Sequence, residues 1–233
     1  INNSMKIHDI LETEQVLEGP NDPHIFKAVF LAGGPGSGKS YVAQKLLTGG
    51  GLRPLNSDDV YEYLAKKHNI DLSDPEVVGS NKGQEIRNRA KEITKTREEL
   101  YLDGSLGLVI DGTGKDVSKV SVAKKQLGEL GYDTMMLFVN TSEEVAQERN
   151  AERTRTIPAD MVKVMWQRVQ QNIMKFQQVF GAAKFHVIDN SGGLEDPDRK
   201  ENFDTVYREV QKFLNDPPTK RAAKAWLSRN TKT

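Results

Sequence analysis

The chain has 233 residues, enough for one sizeable α/β domain with small elaborations and too few for two large ones. Lys plus Arg and Asp plus Glu each total 33, so the formal net charge is zero and no global basic field draws the protein to nucleic acid or an anionic membrane. The absence of cysteine excludes disulfides, thiolate nucleophiles and Cys-based zinc sites, and His8, His24, His68 and His186 show no metal-ligand spacing.

Residues 1–24 are read as an N-terminal extension without the charged and apolar regions of a signal peptide, with Met5 as the natural start and residues 1–4 upstream of it. No apolar stretch approaches the ~20 residues that cross a bilayer, so a soluble, cytoplasmic protein with no membrane contact is expected. Short apolar, β-rich runs then alternate with longer helical patterns, which predicts a parallel sheet covered by helices. Strands are predicted at 27–32, 52–56, 107–111, 134–140 and 185–189. Helices are predicted at 38–47, 58–69, 84–102, 117–130, 142–153, 159–180 and 203–214, many with Ser, Thr or Asp at their starts. A polar stretch from 70 to 83 and the charged helix after it read as an insertion beside the site. The last residues carry Lys220, Arg221, Lys224, Arg229 and Lys232 with no acid, a pattern of a solvated basic helix or a binding element.

The first strand runs into Gly33-Gly34-Pro35-Gly36-Ser37-Gly38-Lys39-Ser40, a full match to the phosphate-binding pattern GxxxxGK[ST] between a strand and a helix. Glycines let the backbone wrap a polyphosphate with converging N–H groups. Lys39 is then placed for the β- and γ-phosphates of ATP, and the Ser40 hydroxyl for magnesium. No Asn-Lys-x-Asp base-reading motif of a GTPase and no Leu-Ser-Gly-Gly-Gln signature of a transporter ATPase appears, and the chain is short for a ring ATPase, so a small phosphotransferase is favoured.

Three further segments bear on the reaction. The second strand ends in Asn56-Ser57-Asp58-Asp59, where Asp58 is either a helix-capping residue or the group that takes the proton of an attacking hydroxyl. The third strand ends in Asp111-Gly112-Thr113-Gly114, with Asp111 read as a magnesium-side acid or an acceptor contact, and the bare turn as the alternative. Arg149, Arg153 and Arg155 precede Pro158; Arg149 and Arg153, four apart, either point together at the transferring phosphate or pair with Glu148 and Glu152 on the surface.

In order, these motifs resemble the polynucleotide kinase and zeta toxin branch of P-loop kinases, common in phage, over most of 26–189. The resemblance rests on the Gly33 to Ser40 loop, on Asn56 to Asp59, on Arg149-Asn150-Ala151-Glu152-Arg153 with Pro158, and on the acid-Gly-Thr turn at Asp111 to Thr113. It implies a five-stranded parallel P-loop kinase sheet with helices on both faces and a helical insertion. The domain would span 25–216, with an insertion at about 70–103 and a lid at about 147–159, ahead of a basic tail at 217–233. It also implies ATP and Mg²⁺ as donor and cofactor, Asp58 as catalytic base and Arg149 and Arg153 as lid arginines. The implied acceptor is a nucleotide or nucleotide-like molecule, including a nucleotide sugar or the 5′ end of a single-stranded nucleic acid; a protein partner such as an antitoxin is left open. The family carries an arginine three residues after the catalytic Asp, where this sequence has Tyr61. Arg87, Arg89 or Lys91 on the inserted helix supplies the missing charge, unless that helix face is simply solvated. A nucleoside monophosphate kinase and a non-catalytic nucleotide-binding protein are the alternatives.

Overall fold

The computed structural model describes residues 21–47, 51–153, 156–193 and 195–231. Five strands, β1 (Lys27–Ala32), β2 (Arg53–Leu55), β3 (Leu108–Asp111), β4 (Asp133–Asn140) and β5 (Phe185–Asp189), form one parallel sheet in the order β2-β3-β1-β4-β5. The helices are α1 (Lys39–Leu47), α2 (Ser57–Lys67), α3 (Pro75–Gly79), α4 (Asn81–Asp103), α5 (Val117–Leu130) and α6 (Glu143–Ala151). After them come α7 (Ala159–Gln170), α8 (Ile173–Phe180), α9 (Pro197–Asn215) and α10 (Arg221–Asn230). Among the described residues no helix is long and apolar enough to cross a membrane.

Successive residues of a strand face opposite sides, and here both sides are buried, which is why the strands read as apolar runs rather than alternations. Val29, Leu31, Leu137 and Val139 pack with Val42 and Leu46 of α1 and Val206, Val210 and Phe213 of α9. Their neighbours Ala28, Phe30, Met136 and Phe138 pack on the other side with Leu127 of α5, Phe176 and Phe180 of α8 and Ala223 of α10. This is the five-stranded parallel P-loop kinase sheet with helices on both faces that the pattern predicts. β2 holds only three residues at the sheet edge, where Pro54, which has no N–H to give to a ladder, is tolerated.

A separate apolar cluster joins α2 to α4: Val60, Tyr61 and Leu64 against Ile86, Ala90 and Ile93. The predicted inserted helix therefore has its own small core with α2, and it starts at Asn81 because the Ser80 hydroxyl accepts from Gly83 N at 3.1 Å. At the amino ends of the strands, Lys27 and Asp133 form a buried ion pair at 3.2 Å, and Thr219 N donates to the same carboxylate at 2.8 Å. That tie, with Trp226 edge-on to Phe26 at 5.5 Å, seats α10 against the body while Lys220, Arg221, Lys224 and Arg229 remain exposed.

Several element boundaries differ from the sequence reading: the inserted helix starts at Asn81 and not at 84, the polar stretch 70–83 holds the short helix α3, and many other bounds move by one or two residues. The helix predicted over 159–180 is two helices that meet at 171–172, where Asn172 N bonds to Val169 O in a tightened turn and the buried Asn172 side chain donates to Gly114 O at 3.0 Å. The last long helix begins at Pro197, not at 203: Asp196 caps it, accepting from Asp198 N at 3.0 Å, and Pro197 occupies the first turn. The helix predicted to reach Arg153 ends at Ala151.

Candidate active site

Strand register builds the site. Leu31 pairs with Asp111 and Leu55 with Ile110, so the carboxyl ends of β1, β3 and β2 deliver Gly33, Asp111 and Asn56 to one edge of the sheet. In open α/β sheets this edge is where ligands bind. The loop between β1 and α1 takes positive φ at Gly36 (+70°) and Gly38 (+85°). A Cβ on Gly36 would stand 2.5 Å from Ala146 O, so both the backbone angle and the close passage of α6 demand glycine there. Lys39 opens α1 and folds back across its own loop, donating from Nζ to Gly33 O at 3.0 Å, while Ser40 is exposed at the helix mouth. Pro35 and Gly34 complete the turn, and Ser37 is buried.

Four groups converge beside the loop. Burial pushes the Lys39 ammonium below its ordinary range; Asp111 opposes that, Arg153 adds to it and Asp58 opposes it, so all three charges are felt at Lys39. Burial raises Asp111 above the usual carboxylate range, with Lys39 opposing and Asp59 and Asp58 adding to the rise. Asp59 is likewise raised, by burial and then by Asp58. The sequence reading left Asn56 without a role, and the structure makes it the pivot of this group. Its Nδ2 donates to Asp59 Oδ1 at 3.0 Å and to Asp111 Oδ2 at 3.2 Å, and its Oδ1 accepts from Asp58 N at 2.9 Å. One amide therefore caps α2 and fixes two of the three carboxylates, and Asp58 is left exposed in the first turn.

Asp111 Oδ1 is buried with no hydrogen-bond partner. An orphaned carboxylate oxygen in an acid-rich pocket is what a hard cation satisfies. Among the described residues no group of three or more His, Asp or Glu side chains is disposed as a metal cage. Magnesium is held by one or two carboxylates together with substrate phosphates and water, and Asp111 with its orphaned oxygen fits one of those carboxylates. Thr113 lies exposed in the turn after Asp111, whose start is fixed by Gly112 N donating to Leu31 O at 2.9 Å.

The arginines come to the loop from α6. Arg149 Nη1 reaches Gly36 O at 3.4 Å, and its guanidinium is pushed down by burial and then by neighbouring Arg199, with Glu148 and Glu152 opposing. Among the described residues no ion pair joins Arg149 or Arg153 to Glu148 or Glu152. Arg153 is exposed past the helix end, so it does not share the helical face of Arg149 as expected, although its charge lies close enough to oppose that of Lys39. Asn150 causes the turn: its Nδ2 donates to Ile157 O at 2.7 Å and its Oδ1 accepts from Ile157 N at 3.0 Å, drawing the chain back ahead of Pro158. Arg155 lies outside the described residues. Arg87 stands 5.0 Å over the ring of Tyr61, whereas Arg89 pairs with exposed Glu92 at 3.2 Å and Lys91 is exposed. Tyr61 OH and Arg87 Nε are both buried without a partner.

Residues 29–179 match the model of the AAA domain family. No curated protein matches the sequence. Among solved structures, the fold is similar to a chain of the AvrRxo1-ORF1:AvrRxo1-ORF2 complex with sulphate ions, at TM-score 0.57, with 13% identity over 98% of this chain and 89% of that one. A chain of the PezAT chromosomal toxin-antitoxin system of Streptococcus pneumoniae matches at TM-score 0.54, with 14% identity over 89% of this chain and 93% of that one. A chain of the Pnkp1/Rnl/Hen1 RNA repair complex matches at 0.51, with 20% identity over 67% of this chain and 48% of that one. At these identities the likeness is one of fold.

Proposed function

The chain belongs to the AAA domain family, and from that membership and the site geometry we propose that it is an ATP- and magnesium-dependent phosphotransferase acting on a hydroxyl of a nucleotide-like acceptor. The observation that carries this reading is the meeting of Lys39, Asp58 and Asp111 at the mouth of the phosphate loop, where the Asn56 amide joins Asp111 to the first turn that carries Asp58 and both carboxylates act on the Lys39 ammonium. A site that only held nucleotide would need the loop and Lys39 but no carboxylate on the acceptor side.

In this reading the loop amides and Lys39 hold the β- and γ-phosphates of ATP. Ser40 and Asp111 hold magnesium, which when bound neutralises charge on the phosphates. The acceptor oxygen attacks the γ-phosphorus, the bond to the bridging oxygen breaks and ADP leaves, while the acceptor's proton passes to Asp58. Asp58 suits that task because it is exposed, whereas Asp59 and Asp111 are both engaged by the Asn56 amide. Arg149 and Arg153 stabilise the charge that spreads over the transferring group. Arg87 of α4, held over the ring of buried Tyr61 one helical turn along α2 from Asp58, would meet an anionic part of the acceptor, and its unpartnered Nε supports this. Thr113 lies on the acceptor side beside Asp111. The PezAT likeness keeps a role as a toxin with a protein partner within this proposal, and the RNA repair likeness keeps a polynucleotide end among its acceptors.

Asp58→Ala tests the assignment. It is expected to lower kcat by roughly 10² or more while ATP affinity stays close to wild type, since a proton acceptor is lost and the donor site is untouched. Retained turnover would instead point to a phosphate acceptor, which needs no base. Equal losses in turnover and ATP binding would make Asp58 structural.

A further inference from the structure

We propose that Asn190 and Arg199 are positioning residues that set the donor loop with its Gly38 amide facing the phosphates. The inference rests on the donor-loop reading above and adds to it two residues that lie outside every motif of the sequence.

Asn190 follows β5 and is 2% exposed, with its backbone N donating to Asn140 O at 2.9 Å. Its Nδ2 donates to Ser37 O at 2.7 Å, across 153 residues of chain. The N–H and C=O of a trans peptide point in opposite directions. Holding the Ser37 carbonyl against Asn190 therefore turns the Gly38 N–H to the opposite side of the peptide, away from Asn190. Gly38 has φ +85°, and a Cβ there would stand 2.2 Å from Asn190 Nδ2, so glycine is required by the approach of this amide as well as by the backbone angle.

An amide can present either end to a neighbour, and Arg199 decides which. It donates to Asn190 Oδ1 from Nε at 3.0 Å and from Nη2 at 2.8 Å, so only the NH2 end is left for Ser37. Arg199 is itself fixed between the rings of Tyr41 at 5.4 Å and Phe203 at 5.0 Å, and Nη1 donates to Gly193 O at 3.3 Å. Tyr41 directly follows Ser40, so the relay runs from α9 through Arg199 and Asn190 to the loop and is braced on the helix that the loop opens. Among the described residues Arg199 makes no ion pair with a carboxylate. A buried arginine held by an amide and two rings orients a neighbour and does not neutralise one.

The test is ATP titration by calorimetry beside thermal unfolding. Asn190→Asp keeps the contact with Arg199 but, ionised, cannot donate to Ser37 O; it is expected to unfold at or above the wild-type temperature and to bind ATP at least about tenfold more weakly. Asn190→Ala, which adds no charge, is expected to show a similar loss of affinity. Arg199→Met is expected to lose several-fold, and the double variant Asn190→Ala/Arg199→Met to bind no more weakly than Asn190→Ala alone, because both act through one bond. A loss of affinity at unchanged stability is the readout that a merely structural link between β5 and α9 would not produce. Wild-type ATP affinity in folded Asn190→Asp, or additive losses in the double variant, would overturn the relay and leave the donor loop standing. If Asn190→Ala does not fold, Asn190→Asp carries the test. No ATP binding by the wild-type protein would overturn the donor-loop reading itself, and the relay with it.

Discussion

Lys39→Ala is expected to lower phosphoryl transfer by on the order of 10³ or more, and to weaken ATP binding at the same time. Lys39 is the only basic side chain of the Gly33 to Ser40 loop, and its ammonium already bridges back to Gly33 O at 3.0 Å. Burial makes that charge costly to keep, and Asp111 and Asp58 help to keep it in place. Alanine removes the loop's own cation from a partly desolvated position. Lys39→Arg is expected to be nearly as damaging, because a planar guanidinium does not fit where a compact ammonium folds across the loop. Steady-state rates and ATP titration on both variants check this, and wild-type turnover in Lys39→Ala would sink the assignment of the loop as donor site.

The second large effect is expected at the lid. Arg153→Ala should lower kcat by on the order of 10³ with little change in unfolding temperature, and Arg149→Ala should lower it comparably. The expectation follows from where the two arginines lie. Arg149 reaches Gly36 O, Arg153 is felt at Lys39, and Asn150 folds the segment back through two hydrogen bonds with Ile157. An exposed pair with Glu148 or Glu152 would contribute only ~0.5 kcal/mol and cannot mimic a loss of this size. Closure of the lid over bound nucleotide should also slow hydrogen exchange at 147–153 when a non-hydrolysable ATP analogue is added. Near-normal kcat in both variants together with unchanged exchange would make this an ordinary solvated helix.

Much of the fold is legible in the sequence where local chemistry and tertiary context agree. β1 falls at its predicted bounds as a run buried throughout on the sheet, β5 because Phe185 and Ile188 anchor it there, and α5 because Asp116 caps its start and Gly131, at φ +107°, ends it. The start of α9 at Asp196-Pro197 is a local signal that the apolar pattern from 203 onward overshadowed. The break between α7 and α8 is different, since the apolar period continues through it from Val169 to Phe176 and the break coincides with a distant contact, from the Asn172 side chain to Gly114 O. The same division runs through the site. The loop, Asn56 to Asp59 and Asp111 are contiguous motifs at strand ends and are visible as such. Asn190 and Arg199 are not, because their meaning lies in contacts with Ser37 and Tyr41 that no spacing along the chain reveals. Tyr61, seen in the sequence as a departure, finds its partner in Arg87 only once α4 is packed on α2.

The central claim is that this loop donates a phosphoryl group and does not merely hold nucleotide. The most direct measurement incubates the protein with magnesium and ATP labelled in the γ-phosphate against a panel of nucleosides, nucleotides, 5′-hydroxyl oligonucleotides and nucleotide sugars, with Lys39→Ala as the blank. The account predicts label on a hydroxyl of at least one acceptor, with ADP released in equal amount and neither product formed by Lys39→Ala. Tight ATP binding with no labelled acceptor across the whole panel would contradict it and leave a nucleotide-binding protein without transfer.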